Sequence, residues 1–346
     1  MRNLTKIQKF SLCNRCGKCV PVCPSYRVYK TEAFSPRGRL FLFSCEREHE
    51  SFELCLFCER CQKICPHNIG FPELYLENLK KKKEKPISKE IIKAFSKDPL
   101  LTFLKLNNWL HFVNLRKESQ TEILPTKGDI TIYPSCGLKY FYPRALENFR
   151  KLVKNKGITG GIPEGLVCCG AIFLNLGLIS LLKENAVKNL EVLEKEKGPI
   201  LIFCATCLWM FKKIYPLIFK DTPYKERFNK LSEKVISAHS YLFSEFEEEV
   251  NILEKKTLSE NVIFHIPCHL TEELSLVKNK LKAKDFCCGS AKLSLWLKGF
   301  QEKNKKEWIK NLENKDILAT FCTGCYLNFS ILLKKPPLIY HWMELL

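Results

Sequence analysis

Two four-cysteine runs stand close together near the start of the chain: Cys13, Cys16, Cys19 and Cys23 followed by Pro24, and Cys55, Cys58, Cys61 and Cys65 followed by Pro66. Each reads C-x-x-C-x-x-C-x-x-x-C-P, a spacing suited to holding iron as a cubane [4Fe-4S] cluster. The first three thiolates of a run share one turn of backbone and can ligate three irons of one cube, while the fourth points away and serves the other cluster. The expected ligand sets are Cys13, Cys16, Cys19 and Cys65 for one cubane, and Cys55, Cys58, Cys61 and Cys23 for the second. A pair of structural zinc sites is the competing chemistry, because C-x-x-C steps also build zinc knuckles. Zinc takes four tetrahedral ligands and has no use for a third C-x-x-C step, a C-x-x-x-C-P tail and a duplicate of the whole.

A second group of cysteines repeats. Its first copy has Cys136, then Cys168 and Cys169 before Gly170, then Cys204 and Cys207; its second has Cys268, then Cys287 and Cys288 before Gly289, then Cys322 and Cys325. Between the adjacent pair and the C-x-x-C pair lie 34 residues in the first copy (170–203) and 33 in the second (289–321). Adjacent cysteines beside a glycine can present two thiolates to one face, and helices beginning after Cys207 and Cys325 would aim their positive ends at a cluster's charge. The copies differ in one place: 31 residues separate Cys136 from Cys168, and only 18 separate Cys268 from Cys287. A helix, with or without a strand, is missing there, so the second set is expected to be open, remodelled or differently metallated. The bland alternative for both sets is reduced thiols filling a core. Cys45 belongs to no pattern and is expected to be such a packed thiol.

The elements that must position these sulfurs follow from periodicity. Strand-like runs end at cysteines: Asp129 to Tyr133 before Cys136, Pro199 to Phe203 before Cys204, Asn261 to Ile266 before Cys268, and Asp316 to Phe321 before Cys322. Between them, Ala145, Leu146, Phe149, Leu152 and Val153 fall on one helix face before Gly157, and Leu182, Val187, Leu190 and Leu193 on another before Gly198. Strands alternating with helices imply a parallel sheet, which gathers ligands beyond the carboxyl ends of its strands. The expected fold class is α+β: a mostly helical ferredoxin-like domain (1–85), a helical connector (86–128), a first cysteine-rich α/β repeat (129–245) and a second, shortened one (246–346). The copies end on similar tails, His239 to Phe243 and His341 to Leu346, whose histidines read as structural; His265 and His269 flank Cys268 and either tune a cluster or cap the strand end.

Length and composition bound the rest. A chain of 346 residues with 46% hydrophobic content can bury a sizeable core. Nineteen cysteines, most of them in metal-ligand spacings, behind a start that lacks an apolar export signal, point to a reducing, cytoplasmic compartment rather than to disulfides. No run reaches the roughly 20 apolar residues of a membrane helix, so no transmembrane segment is expected. The formal net charge of +19 invites nucleic acid as a partner. Cubanes with four thiolates each carry about two negative charges and cancel a substantial part of it. The one dense basic run, Lys80 to Lys83 with Lys85, reads as a solvated helix end.

The order of the motifs, a two-cluster unit followed twice by C, then C-C-G, then C-x-x-C, resembles the CCG-domain (cysteine-rich) iron–sulfur proteins. That group includes the glycolate oxidase iron–sulfur subunit, lactate-utilisation subunits, the anaerobic glycerol-3-phosphate dehydrogenase small subunit and the heterodisulfide reductase catalytic subunit. The resemblance covers nearly the whole chain, and Ser35-Pro36-Arg37-Gly38-Arg39-Leu40 with Cys55-Leu56 looks most like the glycolate oxidase subunit. In the heterodisulfide reductase branch a complete five-cysteine set holds a non-cubane [4Fe-4S] cluster that works on a disulfide. Carried over by position, the resemblance implies one such cluster on Cys136, Cys168, Cys169, Cys204 and Cys207 and a second on Cys268, Cys287, Cys288, Cys322 and Cys325. Cys168, Cys169, Cys287 and Cys288 would then be the candidate reactive region.

No G-x-G-x-x-G opens a helix, and there is no P-loop, H-E-x-x-H or nucleophile elbow. With no FAD or NAD site expected, clusters alone cannot take a hydride from an organic substrate, but they can pass on single electrons that a partner has split from a pair. The resemblance therefore implies an electron-transfer subunit of a 2-hydroxy-acid (glycolate-type) dehydrogenase. Its expected partners are a flavoprotein dehydrogenase subunit and a quinone-linked membrane component or a thiol acceptor, with the chain held peripherally at the inner membrane face. A thiol:disulfide reductase is the alternative. Clusters acting as staples in a nucleic-acid-binding protein rank last, and no nucleic-acid partner is expected.

Overall fold

The computed structural model describes residues 12–79, 99–106, 125–259, 261–275, 278, 281, 283–291, 297–333 and 337–346. The basic run at Lys80 to Lys85 and most of the connector expected over 86–128 lie outside the described residues, apart from a helix at Pro99–Leu106. The chain divides into two compact units, one of Met1–Lys83 with Phe286–Asn311, the other of Glu84–Asp285 with Leu312–Leu346. The adjacent cysteines of the second copy, Cys287 and Cys288, thus belong to the first unit, while Cys268, Cys322 and Cys325 belong to the second.

The first unit is built of short helices. Those at Pro24–Tyr29 and Pro36–Ser44 each begin on a proline, whose missing N–H has no partner to lose in a first turn. Ser35 caps the latter by accepting from the Gly38 N–H at 2.9 Å. Phe43, Phe52, Phe71 and Tyr75 meet edge-on, tilted or stacked at ring separations of 5.3 to 6.2 Å and form an aromatic core. The helix at Lys298–Trp308 packs on Pro24–Tyr29 through Phe300, Val28 and Tyr29.

The glycine in the Ser35-to-Leu40 motif has a local cause. A Cβ on Gly38 would come within 1.9 Å of the Glu32 carbonyl oxygen, a backbone atom with nowhere to go. Gly38→Ala is expected to lower stability by about 1–3 kcal/mol, the usual cost of overpacking, read as a lower urea midpoint. An unchanged midpoint would show that the Glu32 turn yields freely.

The second unit carries two parallel sheets. The first contains β1 (Ile130–Tyr133), β2 (Gly160–Gly161), β3 (Ile200–Ile202) and β4 (Val235–Ser237) in the order β2-β1-β3-β4. The second contains β5 (Val262–His265), β6 (Ile317–Thr320) and β7 (Leu338–His341) in that order. Central strands pair in step, Ile132 with Leu201 and Leu201 with Ile236 in one sheet, Ile263 with Leu318 and Leu318 with Ile339 in the other. Short all-apolar strands such as Ile200-Leu201-Ile202 are fully buried, as a parallel sheet covered on both faces requires. The helices at Pro143–Asn155 and Ile179–Leu193 turn inward Ala145, Phe149 and Val153, and Leu182, Leu190 and Leu193.

Where the second copy is short, its sheet differs from the first. In place of β2, the described residues show a single parallel bridge, His265 with Lys284. Among the described residues no helix is long and apolar enough to cross a membrane.

Candidate functional site

The sulfurs of the N-terminal unit fall into two neighbourhoods. Burial pushes the Cys19 thiol up to about 11, the Arg37 backbone N–H donates to its sulfur, and Cys13 and Cys65 are neighbouring cysteines. Burial likewise raises Cys61, whose neighbours are Cys55 and Cys23; the Phe71 N–H donates to it and Cys19 also reaches it. Cys65 of the second run thus lies near Cys13 and Cys19 of the first, Cys23 of the first lies near Cys55 and Cys61 of the second, and the two neighbourhoods adjoin. They differ in exposure: Cys16 is exposed, whereas Cys23, Cys55 and Cys61 are at most 8% exposed. Cys23, Cys55, Cys58 and Cys61 line one cavity of about 320 Å³, counting the part open to solvent, together with Arg39, Glu59 and Phe71.

In the second unit the sulfurs form a continuous chain at the carboxyl edge of both sheets. Cys136 lies 4.0 Å from Cys168, Cys169 lies 3.3 Å from Cys207, and Cys204 lies 4.0 Å from Cys322. Hydrogen bonds between Cys168 and Cys169, between Cys204 and Cys207 and between Cys322 and Cys325 close the gaps. The sequence implied two separate sets; the fold brings Cys322 and Cys325 of the second against the first.

The loop at Cys168-Cys169-Gly170 is clamped by its backbone. Asn189 accepts from the Val167 N–H, Tyr133 donates to the Val167 carbonyl, Asn185 to that of Cys168 and Tyr215 to that of Cys169, at 2.6 to 3.0 Å. Gly170 turns the chain with φ of +76°, a conformation costly for other residues. The second copy uses the same device within the first unit: Asn304 donates to the Cys287 carbonyl at 3.1 Å, and Gly289 has φ of +88°. In both copies the asparagine follows the first cysteine of the pair by 17 residues. That coincidence was available in the sequence as a signal and only the fold shows what it does.

The C-x-x-C pairs sit differently from expectation. The helices begin at Ala205 and Thr323, so Cys204 and Cys322 are the N-caps and Cys207 and Cys325 lie inside the first turn rather than before it. Threonine hydroxyls cross between the copies: Thr206 Oγ1 is 3.2 Å from Cys322 Sγ, and Thr323 hydrogen-bonds Cys204. Tyr142 in turn hydrogen-bonds Thr323. Hydrogen bonds from Cys136 and Cys169 hold the Cys168 thiol well below its ordinary range. Burial raises Cys204, but bonds from Cys207, Cys322 and Thr323 outweigh it and leave that thiol low as well. Cys136, Cys169 and Cys207 are pushed up, each first by the hydrogen bond to its neighbouring sulfur and then by burial.

His239 and His341 are cross-struts. His239 Nε2 meets the Phe321 carbonyl at 3.2 Å and His341 Nε2 meets the Phe203 carbonyl at 3.3 Å, so the tail of each copy grips the residue before the C-x-x-C of the other. His265 Nδ1 bonds Thr320 Oγ1 at 3.0 Å and is fully buried, while His269 stacks on Trp209 at 4.4 Å. Cys45 is exposed, not packed: it caps the C-terminal end of the helix at Pro36–Ser44, at the solvent edge of the unit.

These donors fit a polynuclear iron group. Soft thiolates select iron–sulfur clusters or zinc, and crowded, buried thiols ionise together only when a metal supplies the opposing charge. Among the described residues no three His, Cys, Asp or Glu side chains converge as one ion would require. The inner quartet instead surrounds a cavity.

Residues 9–69 match the 4Fe-4S dicluster domain family, and residues 130–212 and 262–330 each match the cysteine-rich domain family. The chain is similar to lactate utilization protein A of Bacillus licheniformis, 23% identical over 242 residues that cover 63% of this chain and 98% of the relative. The Bacillus subtilis protein of the same name is 22% identical over 221 residues, 58% of this chain and 89% of the relative. One subunit of the fumarate reductase (CoM/CoB) of Methanothermobacter marburgensis is 26% identical over 230 residues, 60% of this chain but only 43% of that longer protein.

Proposed function

Since the chain belongs to the iron–sulfur proteins that join a 4Fe-4S dicluster domain to cysteine-rich (CCG) domains, we propose that it is an electron-transfer subunit of a larger oxidoreductase, most like that of a 2-hydroxy-acid dehydrogenase. A flavoprotein partner would oxidise the substrate, and this chain would pass single electrons to a quinone-linked or thiol acceptor. The name of the Bacillus relatives supports the substrate class, lactate being a 2-hydroxy acid.

The observation that carries the reading is the crossing of the two N-terminal runs: Cys65 neighbours Cys19, and Cys23 neighbours Cys61. On it rest the ligand sets Cys13, Cys16, Cys19, Cys65 and Cys55, Cys58, Cys61, Cys23. Bound there, clusters supply one-electron steps; the protein's part is to fix their spacing, exclude water from the inner one and donate the Arg37 and Phe71 N–H groups to sulfur. Cys136, Cys168, Cys169, Cys204 and Cys207 would hold a further, non-cubane cluster, with Cys322 and Cys325 adjoining it.

Iron and sulfide analysis of anaerobically prepared protein tests this. Roughly eight irons per chain correspond to the cubanes alone, roughly twelve to one further site and roughly sixteen to both; zinc or a colourless protein would end the proposal. Cys168→Ala is expected to remove about four irons and one electron paramagnetic resonance signal, and an unchanged spectrum in every redox state would count against the non-cubane set.

One observation favours a second reading, a thiol:disulfide reductase. The unbroken chain of sulfurs from Cys136 to Cys325 is more elaborate than a relay needs. Oxidation of a reduced viologen dye coupled to disulfide cleavage by the chain alone would establish it; dye oxidation only with a flavoprotein partner present would favour the first.

A further inference from the structure

The helix at Pro36–Ser44 carries two arginines, and each faces one quartet under different conditions. Arg37 is partly exposed and already matched: Nε lies 2.6 Å from Glu32 Oε1 and Nη2 3.3 Å from Oε2, while Nη1 donates to the Arg15 carbonyl at 3.1 Å. Its charge near Cys13 and Cys19 is largely cancelled by that carboxylate. Arg39 is 2% exposed. Its Nε donates to the Ser51 carbonyl at 2.7 Å, Nη1 lies 3.6 Å from Cys23 Sγ, and its guanidinium stands 5.9 Å from the Phe71 ring centroid. Nη2 is buried with no hydrogen-bond partner, and the bonds of Nε and Nη1 go to a carbonyl and a sulfur rather than to a carboxylate. The guanidinium lines the cavity of Cys23, Cys55, Cys58 and Cys61, with Glu59 the one acidic side chain on the same wall.

A buried, unneutralised cation with an idle donor is expensive unless something anionic faces it. Here the facing group is the thiolate quartet with its cluster, so the inference rests on the reading in the preceding section. One-electron reduction adds a negative charge to a cluster without making or breaking a bond. Burial opposes that charge, so on burial alone the inner cluster would be harder to reduce than the one beside exposed Cys16. A fixed guanidinium acts in the other sense, and more strongly in a poorly solvated site.

We propose that Arg39 sets the order of the two cubane potentials, lifting the inner cluster (Cys23, Cys55, Cys58, Cys61) above the outer one (Cys13, Cys16, Cys19, Cys65). An electron delivered at the exposed quartet then moves inward downhill. The residue acts by position and charge, not by touching a substrate.

The test is a potentiometric titration of the full-length, cluster-loaded protein with dithionite and mediators, followed by electron paramagnetic resonance, with iron and sulfide measured on each sample. A Cys58→Ser variant, whose altered signal marks the inner cluster, assigns the two signals. In the parent protein the inner cluster is expected to reduce first. Arg39→Met is expected to lower its reduced-to-oxidised ratio at fixed potential at least tenfold, a shift of about 59 mV or more for one electron, and to leave the outer cluster in place as an internal control. Arg39→Lys, which keeps the charge, is expected to shift it less. An outer cluster that reduces first, or two signals that move together or not at all in Arg39→Met, overturns the proposal. If Arg39→Met fails to retain iron, the parent order and the Arg39→Lys shift decide. A parent protein with no cubane signal would instead sink the reading on which the inference rests.

Discussion

Replacing Trp342 by alanine should destabilise the second unit by about 3–5 kcal/mol, the range for truncating a buried tryptophan. Trp342 is wholly buried, stacks on Phe243 at 5.0 Å and lies 5.3 Å from Phe321, so one side chain from the end of the second copy fills the seam beside the first. Its Nε1 also donates to His239 Nδ1 at 2.8 Å, and His239 in turn holds the Phe321 carbonyl. The loss therefore reaches the backbone next to Cys322. Trp342→Phe keeps most of the packing and drops the donor, and should cost about 1–3 kcal/mol, the price of one buried acceptor left unmatched. Urea denaturation of both variants checks the pair; a loss below about 1 kcal/mol for the alanine variant would mean that this seam does not bind the copies together.

Acid should weaken the same seam. Burial holds His239 down at about 4 and His341 well below the ordinary histidine range, and in the first case the geometry says why. His239 Nε2 is committed to a carbonyl and Nδ1 already accepts the Trp342 N–H, so a second ring proton would face a donor. The sign follows: in the unfolded chain each imidazole takes a proton below about 6.5, while in the fold it resists. Stability is thus fully present above that pH and falls as pH drops toward 4, by about 1.4 kcal/mol per unit for each histidine. For His239 the whole window amounts to about 3 kcal/mol. Urea midpoints at pH 7.5 and 5.5 should differ more in the parent than in His341→Gln, which retains a donor for the Phe203 carbonyl but cannot be charged. Equal slopes would show that His341 ionises as freely in the fold as outside it.

Much of the chemistry was legible because ligand spacing is a local property. The two C-x-x-C-x-x-C-x-x-x-C-P runs and the apolar runs ending at cysteines each lie within a few residues of chain, the five-cysteine pattern shows by repeating, and the strands at Ile130–Tyr133, Ile200–Ile202, Val262–His265 and Ile317–Thr320 stand within the expected runs. After the short gap following Cys268 the second sheet has, among the described residues, one isolated bridge, His265 with Lys284, where the first has β2. The strands Val235–Ser237 and Leu338–His341 escaped notice because three or four residues of moderate apolarity carry little period of their own; pairing with β3 and β6 makes them strands.

What only the tertiary structure decided is which distant groups share a space. Phe286–Asn311 joins the N-terminal unit although the repeat pattern ties it to the C-terminal half, because the packing of Phe300 on Val28 and Tyr29 outweighs proximity in sequence. Cys204 meets Cys322 across 118 positions, and Thr206 and Thr323 reach across to each other's cysteines, contacts set by how the two copies close on one another. Arg37 and Arg39 are two positions apart and look alike in the sequence, yet one is matched by Glu32 and the other is sealed in with Cys23. Sequence alone determined which cysteines stand in iron-ligand spacings, since that depends on residue type and position; the electrostatic setting of each site depends on burial and on partners many residues away, and only the folded chain determines those.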